Sequence, residues 1–363
     1  MQLTWFIISV GGILLILSVV YSSWALKGVK YSRYFSKEAV FEGESIEMIE
    51  VITNEKLLPL PWLRLESSMA SGLIFGSQSN LDIHTGDIYQ NHISLFYLRP
   101  YRQVTRRHVI TCARRGLYRL ESVTMTTGDP LGLGNNVKQF PLGLELLVYP
   151  KVIHLDELPL PNHSWIGQIP VRRWIVEDPF LTSGVTEYRP GDRLGSINWQ
   201  ATARTGTMQV HKRDYSADHR LMICVNLEVS DSMWRTVTDP ERIELGISYA
   251  AAIAAYALRH GMETGFLCNA RLIDGPKIPI RKEPQAVIDQ LDHLLDVMAR
   301  IVLDRSVSMI RLLEQEIEAG ITNTDYLIIT CHQGDKLRAT VEQLQDRGNG
   351  IEWMIIPELM NII

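Results

Sequence analysis

The hydrophobic pattern of this chain changes period once, and that change limits most of what the chain can fold into. From Ala39 to about Pro150, apolar and polar residues alternate in short segments separated by Gly, Pro and Asn. Examples are Ser45-Ile-Glu-Met-Ile-Glu-Val51, Ile93-Ser-Leu-Phe-Tyr97, Arg107-His-Val-Ile-Thr-Cys112 and Glu145-Leu-Leu-Val-Tyr149. A period of two gives each strand one apolar face, which predicts an antiparallel, immunoglobulin/fibronectin-like β-sandwich over residues 38–150. From Arg220 onward the pattern differs. Leu221-Met-Ile-Cys-Val-Asn-Leu227 is a continuous apolar run suited to a strand buried on both faces. Helical spacing follows over Glu241–His260, Pro284–Ile301, Ser306–Ala319 and Lys336–Arg347. Strand-like runs lie between and after these helices, at Gly265–Cys268, Tyr326–Thr330 and Ile351–Ile356. That alternation predicts a doubly wound α/β domain over residues 220–363. No G-x-G-x-x-G or Walker loop is present to hold a nucleotide.

Ahead of the strands, Trp5 to Leu26 carry no charged side chain. About 20 apolar residues are enough to cross a bilayer as a helix. Trp5, Tyr21 and Trp24 suit the interfacial belts, and Lys27, Lys30, Arg33 and Lys37 follow directly. No basic residue precedes Trp5, as a signal peptide would require. The expectation is one transmembrane helix with a basic flank over residues 1–37. The positive-inside rule then places the protein in the cell membrane, single-pass, with its remaining domains cytoplasmic.

A net charge of −5 over 363 residues provides no global basic field for nucleic acid. Cys112, Cys224, Cys268 and Cys331 are widely spaced, without C-x-x-C. They read as free thiols of a reducing compartment rather than as a disulfide framework or zinc site. Seven arginines fall between Arg99 and Arg119 with no acidic residue among them. Such a run is either a face for anionic headgroups or an ordinary solvated strand surface.

Residues 151–219 read as a connector between the two patterned regions, and they hold the densest motif in the chain. It runs from Gly184 through Glu187-Tyr-Arg-Pro-Gly-Asp192, Trp199 and Arg204-Thr-Gly206, ending at Arg213-Asp214. Pro190 and Gly191 make a turn, and Asp192 can cap a short helix holding Ile197, Trp199 and Ala201-Thr-Ala203. Glu187, Arg189, Asp192, Arg193 and Arg204 are close enough in sequence to form an ion-pair lattice around Trp199. The lattice is either a docking surface or a staple between domains.

This stretch resembles the signature of a bacterial family known as domain of unknown function 58. Glu187, Tyr188, Pro190, Gly191, Asp192, Ile197, Trp199, Ala203, Arg204 and Gly206 match it, and Thr186 and Gly195 stand where arginines are usual. The resemblance implies a von Willebrand factor A-like α/β domain and a MoxR-type AAA+ ATPase as partner. It further implies a non-enzymatic scaffold acting in assembly or remodelling of other proteins. Members usually carry two N-terminal hydrophobic helices, where this chain has one such stretch. Glu187, Tyr188, Arg189, Asp192, Trp199 and Arg204 become the interaction residues.

The loop after the first α/β strand, Glu228-Val-Ser230-Asp-Ser232, is similar to the D-x-S-x-S metal-ion-dependent adhesion site of von Willebrand factor A domains. There a carboxylate and two hydroxyls hold Mg²⁺. Glu228, Ser230 and Ser232 are the corresponding donors, but Glu228 is one methylene longer than aspartate. Cys331, in the later loop, is a soft ligand ill suited to Mg²⁺. The loop therefore reads two ways, as an adhesion or ligand-binding site using Mg²⁺ or as a cap for the following helix. Ser230 or Ser232 as a hydrolytic nucleophile lacks a spaced base, and adjacent Cys331 and His332 face opposite ways on an extended segment.

Overall fold

The computed structural model describes residues 2–76, 81–86, 89–128, 135–154, 158, 177–188, 197–215, 220–230 and 237–358. The chain divides into two compact units, Met1–Lys151 and Val152–Ile363.

The first unit begins with helix α1 (Gln2–Trp24) and continues as strands. Four of them, β1 (Val29–Phe35), β3 (Ser45–Asn54), β8 (Gln103–Cys112) and β5 (Leu73–Phe75), form one sheet in that order. The other sheet runs β2 (Ala39–Phe41), β10 (Asn135–Tyr149), β9 (Gly116–Gly128), β4 (Leu60–Ala70), β7 (Tyr89–Leu98) and β6 (Leu81–Thr85). Alternation does what it should along β3, where Ile46, Met48, Ile52 and Asn54 are buried and their neighbours are less so. The two sheets share their apolar residues in two clusters. Ile46, Met48, Met69, Leu73, Ile110, Leu120, Leu146 and Val148 make one. Val29, Ile52, Leu60, Leu63, Leu65, Phe96, Leu98, Val123 and Met125 make the other. Each fully buried Leu or Ile contributes about 1.5–3 kcal/mol of transfer free energy.

In the second unit, β11 (Glu177–Glu187) pairs antiparallel with β12 (Gln209–Tyr215), and the short helix α2 (Trp199–Thr205) lies between them in sequence. A five-stranded sheet follows in the order β16 (Ile280–Gln285), β14 (Glu263–Cys268), β13 (Arg220–Val225), β18 (Thr324–Thr330), β19 (Gly350–Ile355). All its pairings are parallel except that of β16. Helices α3 (Pro240–Arg259), α4 (Gln290–Ala299), α5 (Met309–Glu318) and α6 (Asp335–Gln345) complete the unit, with a ribbon of β15 (Ala270–Leu272) and β17 (Ile301–Arg305). Caps set the helix starts. Asp239 accepts the Arg242 N–H at 3.2 Å ahead of Pro240, and Ser308 accepts the Arg311 N–H at 3.2 Å. Successive residues of β18 serve opposite faces. Tyr326 and Ile328 pack with Leu312 and Leu313 of α5 and Leu337 and Val341 of α6, whereas Ile329 approaches Gly246 of α3.

The fold expected from sequence, a transmembrane helix, then an all-β sandwich, then a doubly wound α/β domain, needs correction. Among the described residues the chain is mostly β-sheet, divided over five sheets, and no helix is long and apolar enough to cross a membrane. The uncharged stretch does form α1, and Trp5, Phe6, Ile7 and Ile8 are exposed on it. Its end, however, belongs to the sheets. Tyr21 and Ala25 are buried in the second cluster, the Tyr21 hydroxyl donates to Pro59 O, and Lys56 Nζ reaches the closing carbonyls of Trp24 (3.1 Å) and Lys27 (2.7 Å). Ser9, Gly11, Gly12 and Ser18 interrupt the rest. Downstream, the region expected as one helix over Pro284–Ile301 is divided among the end of β16, the shorter α4 and the start of β17.

Candidate functional site

The motif region folds from its own backbone bonds. The Tyr188 N–H donates to Met208 O at 2.8 Å, continuing the β11–β12 pairing, and Ile197 bridges to Val210. Both of these apolar residues are buried, which anchors the chain on either side of α2. Asn198 starts the helix. Its N–H donates to Gln209 O (2.8 Å), and its Oδ1 accepts the Ala201 N–H (2.9 Å). The Thr202 hydroxyl then bonds Asn198 O (2.8 Å) and accepts the Gln209 N–H (3.0 Å), tying the helix to β12. Gly206 ends it at φ 73° with its N–H on Thr202 O at 2.9 Å, a left-handed closure that suits glycine. The cap is thus Asn198, whereas the sequence reading gave that role to Asp192. Ile197 precedes the helix as part of a bridge.

A helix pinned at both ends and along its length holds its outward side chains in place. Trp199 is 69% exposed, Arg204 and Glu187 are exposed, and Tyr188 is half-buried. Among the described residues neither Glu187 nor Arg204 has an ion-pair partner, while Arg189 and Asp192 lie outside the described residues. So do Pro190, Gly191 and Arg193.

At the carboxyl ends of the parallel strands lies a buried polar network. Asn226 Nδ2 donates to Thr330 Oγ1 (3.1 Å), and its Oδ1 accepts from Asn269 Nδ2 (3.0 Å) and from the Glu228 N–H (3.0 Å). Asn269 Oδ1 accepts the Leu227 N–H at 2.9 Å. These bonds fix the loop that carries Glu228. Its carboxylate Oε1 meets Arg305 Nη1 at 2.7 Å and the Met309 N–H, at the start of α5, at 3.4 Å. Each of the described donors near the loop already has a partner. Glu228 already has a cation beside it, and Asn226 and Thr330 are committed to one another. Among the described residues no group of three or more His, Cys, Asp or Glu converges. Ser230 is exposed, and Ser232 lies outside the described residues.

The remaining candidates are quiet chemically. All four cysteines are free and buried, and burial pushes the Cys331 thiol up to about 11, so it is not a thiolate at neutral pH. Part of the arginine run is paired, buried or stacked. Arg107 pairs with Glu47 (3.2 Å) and Arg119 with Glu145 (2.7 Å), and Arg115 is buried. Arg106 lies 3.7 Å over the Phe96 ring and donates to Leu95 O at 2.6 Å.

Residues missed by the alternation pattern form a third polar group, between the facing sheets of the first unit. Arg33, Glu50, Ser67, His92, Ser94 and His108 all occupy inward positions and are buried.

Comparison with known proteins places the motif. Residues 184–309 match the family model described as "Protein of unknown function DUF58", a segment that includes α2, the Glu228 loop and Arg305. The chain is 21% identical over 311 residues to "Uncharacterized protein YeaD" of Bacillus subtilis (strain 168), covering 85% of this chain and 71% of that protein. Both matches support the family resemblance drawn from Glu187 to Gly206. Among solved structures, a CARDB domain from Pyrococcus furiosus in complex with di-metal ions aligns with 34% of this chain and 96% of its own. It is 16% identical, with a TM-score of 0.20. A non-cellulosomal cohesin from Archaeoglobus fulgidus aligns with 33% of this chain and 91% of its own, at 12% identity and a TM-score of 0.22. Scores this low carry no argument about fold or function.

Proposed function

We propose that this protein is a non-enzymatic interaction scaffold that docks a partner through α2, and that the partner is a MoxR-type AAA+ ATPase. The observation that carries the docking reading is the exposure of Trp199 on a helix capped at both ends. A large aromatic left in water on a rigid element contributes nothing to its own core. It is the kind of side chain that dominates binding energy once a partner covers it. Arg204, exposed in the last turn of the same helix and without an ion-pair partner among the described residues, offers a cation for a carboxylate on the partner. The choice of partner rests on the family resemblance.

The test is co-purification of the ATPase with wild type and with Arg204→Glu. Loss of the partner with an unchanged melting temperature supports docking. A collapsed fold supports the staple. The metal-dependent adhesion reading has no comparable support, because Arg305 already neutralises Glu228.

A further inference from the structure

The core between the facing sheets of the first unit is apolar at both ends and polar in the middle. On β3, Glu50 lies between Met48 of one apolar cluster and Ile52 of the other. On β4, Ser67 lies between Leu65 and Met69, and on β8, His108 lies next to Ile110 on the inward face. On β7, His92 and Ser94 precede Phe96 and Leu98. The belt crosses from sheet to sheet. Arg33 on β1 pairs with Glu50 and donates from Nη1 to Ser67 Oγ at 2.9 Å in the opposite sheet. The His92 ring stands edge-on to His108 at 5.3 Å, again across the sheets, with Phe75 of β5 at 4.9 Å. Glu50 Oε1 accepts from the Tyr31 hydroxyl (2.8 Å), and Glu50 Oε2 meets His108 Nε2 (3.0 Å).

We propose that this belt is a proton-responsive joint between the two sheets, which part when His92 takes up a proton. The charged and titratable groups facing His92 are Arg33 and Tyr31 from β1, Glu50 from β3, and His108 and Arg106 from β8. Two arginines already stand against one carboxylate, so a third cation has nothing to pair with. Among the described residues neither ring nitrogen of His92 has a hydrogen-bond partner, so no acceptor is arranged for an added N–H. Burial first, and then the Arg33 charge, disfavour the imidazolium, pushing His92 down to about 3. In a parted state the same imidazole meets water and takes its proton at the ordinary value of about 6.5. Acid therefore favours parting.

Hydrogen–deuterium exchange of the full chain between pH 6.5 and 5.0, corrected for intrinsic rates, reads this directly. Protection in β1, β3, β7 and β8 falls about tenfold per pH unit towards the acid end, the slope of one linked proton. His92→Gln and His92→Leu each flatten that slope by one proton, while protection of the five-stranded sheet is unchanged. A flat wild-type profile, or variants that keep the wild-type slope, overturns the proposal. If neither variant folds, imidazole resonances of the wild type decide. His92 titrating near 6.5 within the folded chain overturns it, and His92 staying neutral until protection is lost supports it.

Discussion

Glu50 on β3 and His108 on β8 meet at 3.0 Å inside a double sheet whose remaining inward positions are mostly apolar. The pair is sealed from water and shares its carboxylate with Arg33, whose side chain is likewise fully buried. A buried charge is tolerable only while its partners remain, and that asymmetry decides what substitutions do here.

Glu50→Gln leaves the Arg33 guanidinium without its counter-ion, at a cost of about 3–5 kcal/mol. Replacing both groups, as Arg33→Met with Glu50→Leu, costs less than either single change because no uncompensated charge remains. Urea unfolding midpoints of Glu50→Gln, of the double variant and of each of its two single changes check the order.

Glu50 also sets a pH dependence. Burial works against its ionised form. The His108 hydrogen bond and the Arg33 charge outweigh burial and hold the carboxyl below the usual carboxylate range. A depressed folded value means that the stabilisation is fully present above the unfolded value of 4.5 and is lost as pH falls below it. His92, also depressed, loses its contribution earlier, from about 6.5 downward. Thermal melts against pH therefore show two successive acid losses for the first unit, and Glu50→Gln removes the lower one.

Gly265→Ala destabilises the five-stranded sheet. A Cβ there would stand 2.6 Å from Lys282 O and 2.7 Å from Pro284 N. Both are backbone atoms of β16, close at the irregular register between Thr264 and Phe266. The strands must shift, which costs about 1–3 kcal/mol. The denaturant midpoint of the purified variant measures it.

How much of this was legible in the sequence follows the chemistry of each signal. The helices over Glu241–His260 and Ser306–Ala319 were legible because helical spacing of apolar residues is a local signal. The polar belt stayed hidden for the opposite reason. In Ile46-Glu-Met-Ile-Glu-Val-Ile52 either phase offers apolar residues. An inward Glu50 looks like a solvent-facing one until Arg33 and His108, distant in sequence, arrive beside it. Similarly, Ile301-Val-Leu extends the apolar spacing of α4, and only its pairing with β15 makes it a strand. The uncharged N-terminal run was read by composition, which cannot show that Tyr21 and Ala25 pack into the sheets. In the motif, Trp199 was legible as a residue, but the cap that orients it required the Asn198 bonds.

Glu228 and Arg305 act as each other's counter-ion, so millimolar Mg²⁺ leaves the wild-type melting temperature unchanged. Glu228→Gln and Arg305→Gln each cost about 1–3 kcal/mol, and the double variant costs less than their sum. Calorimetry with Mg²⁺ and with a chelator checks both statements. A Mg²⁺-dependent rise that Glu228→Gln removes would restore the metal reading.

The central claim is that α2 is a docking element, and the dissociation constant of the purified ATPase for wild type and Trp199→Ala tests it most directly. Truncating a buried aromatic anchor costs at least about 2 kcal/mol, a weakening of roughly 30-fold. The unfolding free energy of the unbound variant should stay within about 0.5 kcal/mol of wild type, as for other exposed positions. Equal affinity of Trp199→Ala and wild type, or a variant that no longer folds, would contradict it.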